Sequence, residues 1–156
     1  MQHIVPATIA KISQATSTVK VFLLDVSSPS DNFSFFPGQW VDFFIPGLKV
    51  VGGFSITSSP SLLQRSGPIE LAVKNVDHPP AKWLHTQGKV GDQVELKIGG
   101  EFGAGFDPNI PTLLVAGGVG INPLLSMLRH GVEVTQISLL CYCSAERRGM
   151  SYLLQR

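Results

Sequence analysis

Cysteine is almost missing from this 156-residue chain: Cys141 and Cys143 are the only two. Two thiols cannot assemble a cysteine-ligated zinc or iron–sulfur centre unaided. Their i, i+2 spacing on an apparent strand puts both on one face, where a bond between them is awkward. They read as small buried hydrophobes in a reducing, intracellular setting. Charge is also sparse, at 15% of residues, and balanced: 12 Lys and Arg against 11 Asp and Glu leave +1. This excludes the basic footprint of a nucleic-acid or anionic-membrane partner. No apolar run approaches the ~18 residues of a membrane span, and the start MQHIVPATIA has neither the basic nor the long apolar region of a secretory signal. His3, His78, His85 and His130 lack metal-ligand spacing. No His, Asp or Glu constellation suggests acid–base catalysis, so neither a metal nor a catalytic side chain is assigned.

What the chain does have is apolar content, 44% of its residues, enough for a substantial core. From Ile4 to Ile98 it runs as short alternating or β-branched stretches broken by Pro, Gly, Ser and Asp, the pattern of an antiparallel barrel or sandwich. Strands are predicted over 19–24, 40–45, 54–57, 69–75 and 93–98, with Pro37-Gly38 and Gly91-Asp92 as turn pairs. Pro79-Pro80 opens one short helix over 79–85, the single predicted interruption of this β half.

Beyond the glycine cluster at 99–105 the rhythm changes to a strand over 112–116, a helix over 122–130 and a strand over 134–142. Such a β-α-β succession predicts a parallel sheet with a crossover helix. The expected boundary lies within 101–111, dividing the chain into units 1–103 and 104–156. Residues 145–156 are predicted to form one more helix. Two parallel strands cannot cover both faces of a sheet, so the second unit reads as incomplete.

The segment Ala116-Gly117-Gly118-Val119-Gly120-Ile121-Asn122-Pro123 follows the buried run Leu113-Leu114-Val115, the context a nucleotide-binding turn requires. Glycine permits positive φ and lets a ligand approach the backbone. Asn122 suits the N-cap and Pro123 the first helical position, and a helix start so built offers free N–H groups to an anion such as a pyrophosphate. Pro123 stands where G-x-G-x-x-G has its third glycine, a poor fit to the ordinary dinucleotide fingerprint. Taken alone, the same turn is also a tight connection with no ligand.

It stands in an ordered series: Pro37-Gly38-Gln39-Trp40-Val41, Phe54-Ser55-Ile56-Thr57-Ser58-Ser59-Pro60, Ile69-Glu70-Leu71-Ala72-Val73-Lys74, then Trp83-Leu84-His85 with Gly91-Asp92-Gln93-Val94, and finally the glycine turn. This order, over nearly the whole chain, resembles the ferredoxin–NADP reductase-like flavoprotein superfamily. The resemblance implies an antiparallel Greek-key β-barrel of the FAD-binding type, followed by a parallel β-α-β nucleotide-binding unit. It implies hydride passing between nicotinamide C4 and flavin N5, redox chemistry that belongs to the cofactors. It places Phe54 and Ser55 against the flavin ring, Ile56 and Thr57 beside it, and Val73, Lys74 and Asn75 near its ribityl or adenine part. Gly117, Gly118, Val119, Gly120, Ile121, Asn122 and Pro123 would form the nicotinamide turn. Mitochondrial residence is also what the resemblance implies, although no targeting segment is visible.

The chain departs from the family pattern at several points. The family's Arg-x-Tyr-Ser reads Gly52-Gly53-Phe54-Ser55 here, so the arginine that pairs with flavin phosphate is missing. Its Gly-x-x-Ser reads His78-Pro79-Pro80-Ala81, a methyl in place of a hydroxyl. His78 or Lys82 are the candidates to restore positive charge. Val119 replaces a common threonine, and Ser144-Ala145 replaces the Ser-Arg of NADP-preferring relatives, which favours NAD while Arg147 and Arg148 keep NADP open. The expectation is an oxidoreductase moving hydride between NAD(P)H and FAD, its flavin motif weakened and its electron acceptor unassigned. The alternative is a non-catalytic, reductase-like binding or regulatory protein that has lost flavin anchoring.

Overall fold

The computed structural model describes residues 3–26, 33–103, 105, 107, 110, 112–134, 140–144 and 150–153. Six strands form the first sheet: β1 (Val5–Gln14), β2 (Val19–Val26), β3 (Trp40–Phe44), β4 (Gly52–Ser55), β5 (Pro68–Lys74) and β6 (Gln93–Gly99). Their spatial order is β4-β3-β6-β1-β2-β5, every pairing antiparallel. Just past β4, Ile56 bridges to Leu71 of β5, joining the first strand of the order to the last and closing the barrel.

Alternation explains why the closed sheet holds. In β5, Ile69, Leu71 and Val73 are buried while their neighbours are half-buried, and in β6 Val94, Leu96 and Ile98 take the inward positions. With Phe22, Leu24, Val41, Phe43 and Ile56 they make one continuous core. Each fully buried side chain of this kind contributes on the order of 1.5–3 kcal/mol relative to exposure. The predicted antiparallel barrel is therefore the observed one.

Two helices decorate it. α2 (Pro79–Thr86) starts at the predicted prolines. α1 (Pro60–Ser66) was not anticipated, although its signals were in the chain: Pro60 at the first turn and Gly67 at the C-cap in the left-handed region, φ 86. Its short length and its place after a strand motif hide it from a periodicity search.

The second sheet has the order β7-β8-β9. β7 (Leu113–Gly117) runs through a 3-10 turn (Gly118–Gly120) into α3 (Ile121–Val134), and β8 (Leu140–Ser144) returns parallel to β7. This is the predicted β-α-β unit, with two corrections: its helix is longer than expected, Val134 ending α3 and not starting a strand, and the run 113–115 expected to be buried has only Leu114 inside, with Leu113 and Val115 exposed on the other face of β7. The helix predicted over 145–156 is corrected where the residues are described. Met150–Leu153 is β9, antiparallel to β8, which pairs backbone groups that an open strand edge would leave bare. Cys141 and Cys143 both lie in β8.

Candidate cofactor site

The ends of β4 and β5, the start of α2 and the glycine turn converge on one cavity of about 250 Å³. Phe54 and Ser55 come from β4, and Ala72, Val73 and Lys74 from β5. His78 and Ala81 come from the start of α2, and Val119 and Asn122 close the opposite wall. Residues from both predicted halves, far apart in the chain, thus face one space. Phe54 is partly buried and packs edge-on to Phe43, ring centroids 5.5 Å apart at 78°, which orients its ring from within the core.

Not every predicted residue reaches this cavity. Ile56 is wholly buried in the barrel core. Thr57 is buried with its Oγ1 2.8 Å from Glu70 Oε1 and 3.0 Å from the Glu70 carbonyl oxygen. Asn75 is exposed past the end of β5, its N–H donated to the Thr18 carbonyl. Gly117, Gly118 and Gly120 are exposed, and Ile121 and Pro123 half-buried. Within the turn only Gly118 takes a left-handed conformation, φ 55, a position that glycine occupies without the Cβ penalty.

Asn122 does not cap the helix. The 3-10 turn is continuous with α3, so the capping position falls at Gly117. Asn122 lies one residue inside α3 with its Nδ2 donated to the Ala72 carbonyl of β5 at 2.7 Å. That bond joins the two walls of the cavity. Four residues on, Ser126 Oγ donates to the Ser58 carbonyl at 2.7 Å, wholly buried. Three further, Arg129 Nη1 donates to the Thr57 carbonyl at 2.9 Å and to Glu70 Oε1 at 2.6 Å. These residues share one helix face and fix α3 on the barrel. Their signal in the sequence was polar side chains at i, i+4 and i+7 amid Leu124, Met127 and Leu128, an interruption that a buried partner explains.

At the far end of that face, Arg65 of α1 meets Glu133 at 3.2 Å. Burial alone would raise the Glu133 carboxyl. Hydrogen bonds from Ser59 and Ser61 and the Arg65 guanidinium outweigh it and hold the group below its ordinary range. Of the two candidate cations, His78 borders the cavity. Lys82 instead turns to Asp77 at 3.4 Å and lines a separate groove of about 630 Å³ with Pro46, Leu48 and Trp83. Among the described residues no cluster of three or more His, Cys, Asp or Glu can hold a metal ion, and no helix is long and apolar enough to cross a membrane.

A closed antiparallel barrel whose strand ends face a glycine turn and a β-α-β unit is the fold of the ferredoxin–NADP reductase-like flavoproteins. Phthalate dioxygenase reductase superposes on it with a TM-score of 0.77 at 23% identity, over 91% of this chain and 44% of that one. In sequence, the chain is similar to Oxidoreductase NAD-binding domain-containing protein 1 of Danio rerio, 53% identical over 133 residues, covering 82% of this chain and 48% of the relative. The reductase component of propane 2-monooxygenase from Gordonia is 33% identical over 125 residues, covering 78% of this chain and 35% of the relative. The chain therefore spans about half or less of the length of these relatives. No protein-family model matches it. The resemblance read from the ordered motifs holds in fold and in sequence.

Proposed function

We propose that this chain forms the flavin-facing barrel and the first nicotinamide-facing unit of an NAD(P)H-dependent flavin oxidoreductase. The observation that carries the reading is the cavity in which Phe54, Ser55, Val73 and Lys74 face Val119 and Asn122. Its residues fit a flavin ring. Phe54, Val73 and Val119 offer apolar walls to a flat heterocycle, Ser55 and Lys74 bring polar groups to its edge, and a volume of a few hundred Å³ suits a small planar ligand. When bound, the flavin supplies the two-electron chemistry. The protein excludes water with those walls, and through the Asn122 bond to Ala72 it holds the glycine turn against them. Kinship with reductase components supports an electron-transferring role, with the acceptor a separate protein or molecule.

NAD is proposed over NADP because Ala145 stands where NADP-preferring relatives carry the arginine that meets the 2′-phosphate; positions 145, 147 and 148 lie outside the described residues. Mitochondrial residence belongs to the same proposal and is checked by imaging the tagged chain. The test of the main reading is an anaerobic visible-absorption titration of the purified chain with FAD, followed by NADH or NADPH. A perturbed flavin spectrum that bleaches faster with NADH than free flavin does is the expected result. The second reading, a non-catalytic reductase-like binder, draws on Gly52 and Ala81 and predicts no spectral change with flavin.

A further inference from the structure

The phosphate end of a flavin dinucleotide meets a different surface from its ring. Two linked phosphates need cations or N–H donors, and the helix start bordering the cavity is α2, through His78 and Ala81. α2 opens with Pro79 and Pro80 at its first two positions, and proline has no N–H. Two of the neighbouring donors are engaged: the His78 N–H is given to the Val76 carbonyl at 2.8 Å and the Lys82 N–H to the His78 carbonyl at 2.9 Å, which leaves the Ala81 N–H as the one backbone donor of the first turn. The Lys82 ammonium is turned away to Asp77. Ala81 is 1% exposed and has no hydroxyl. On the adjacent strand, Gly52 has no room for a longer side chain in place, since a Cβ there falls 2.6 Å from the Phe54 ring and 2.9 Å from Pro80 Cβ. The Lys74 ammonium and the hydrogen-bonding His78 ring remain at the rim, enough for a single phosphate.

We infer that the cavity takes a flavin through its ring, ribityl chain and one phosphate, and makes no productive use of the second phosphate and adenylate of FAD. The inference rests on the flavin reading above and names the form of flavin that reading leaves open. Its consequence is an exchangeable flavin rather than a tightly retained dinucleotide.

Titrating the whole chain with FAD, FMN and riboflavin, and competing bound FMN with ADP, tests this directly. FAD is expected to bind within about threefold of FMN, and millimolar ADP to displace none of it. FAD binding more than about tenfold tighter than FMN, or ADP competing with FMN, would overturn the inference while leaving the flavin reading intact. Binding of none of the three flavins would overturn both. The variant Pro80→Ala with Ala81→Ser returns one N–H and one hydroxyl to the helix start. It is expected to shift the FAD-to-FMN affinity ratio toward FAD several-fold, each affinity being referred to riboflavin measured on the same variant, and an unchanged ratio in a variant whose circular dichroism matches the parent would remove the assignment to α2.

Discussion

Arg129 Nη1 lies 2.6 Å from Glu70 Oε1, so the helix that follows the glycine turn is tied by charge to the barrel strand that lines the cavity. With Asn122 and Ser126 on the same face, the contact makes α3 a fixed extension of the barrel. The two walls of the cavity are then held together by side-chain bonds.

The Arg129–Glu70 pair is expected to contribute modestly on its own. Side-chain exposures of 42% and 25% leave it open to solvent screening, and such pairs give on the order of 0.2–1 kcal/mol. A double-mutant cycle of Arg129→Ala and Glu70→Gln, read by urea midpoints, should show a coupling in that range that shrinks at high salt. Arg129→Lys should recover only part of it, because the ammonium ends one bond short of the position from which Nη1 serves both Glu70 and the Thr57 carbonyl.

Ser126→Ala is expected to cost more than either charge deletion. The hydroxyl is fully buried and its removal leaves the Ser58 carbonyl without that donor, a loss of about 1–3 kcal/mol. Equilibrium denaturation gives the number, and faster amide exchange in α3 and at residues 57–59 would locate it. An unchanged midpoint would mean that the helix is not held at this point.

The barrel was legible because its strands alternate: Ile69, Leu71 and Val73 announce which face of β5 is buried. The glycine turn was legible as a connection, with a strand before it and a helix after. Asn122 was misread because a short polar residue before proline satisfies the local rule for a cap, and only the tertiary position of Ala72 reveals a better partner. β9 escaped because four residues carry too little pattern, and the unpaired edge of β8 that favours a strand there exists only after folding. The grouping of Phe54 and Ser55 with Val119 and Asn122 likewise depends on closure of the barrel, which no local signal encodes.

Acid should loosen the α1–α3 contact. The Glu133 carboxyl is held below its ordinary value by Ser59, Ser61 and Arg65 against the opposing effect of burial. A group depressed in the folded state adds stability that is present above its unfolded pKa and is lost as pH falls through the folded one. The parent should therefore lose a small increment of stability on acidification below the ordinary carboxylate range, and Glu133→Gln should lack that part of the decline. Thermal midpoints of both proteins across that acid window provide the check, and parallel curves would exclude the contact as its source.

Gly52 and Gly53 are adjacent yet should respond unequally to one added methyl. A Cβ at Gly53 meets nothing within 4 Å, whereas at Gly52 it falls 2.6 Å from Phe54 Cε2 and 2.9 Å from Pro80 Cβ. Neither obstacle is a flexible chain end: the Phe54 ring is braced edge-on against Phe43, and Pro80 is a rigid ring, itself buried, in the first turn of α2. Gly52→Ala should therefore destabilise by about 1–3 kcal/mol through overpacking, while Gly53→Ala stays within about 0.5 kcal/mol. Because relief comes most readily by tilting the Phe54 ring, Gly52→Ala should also weaken flavin binding, and Gly53→Ala should do so less. Pairing Gly52→Ala with Phe54→Leu separates the two effects: the steric part of the penalty falls, while the lost aromatic wall keeps flavin affinity low.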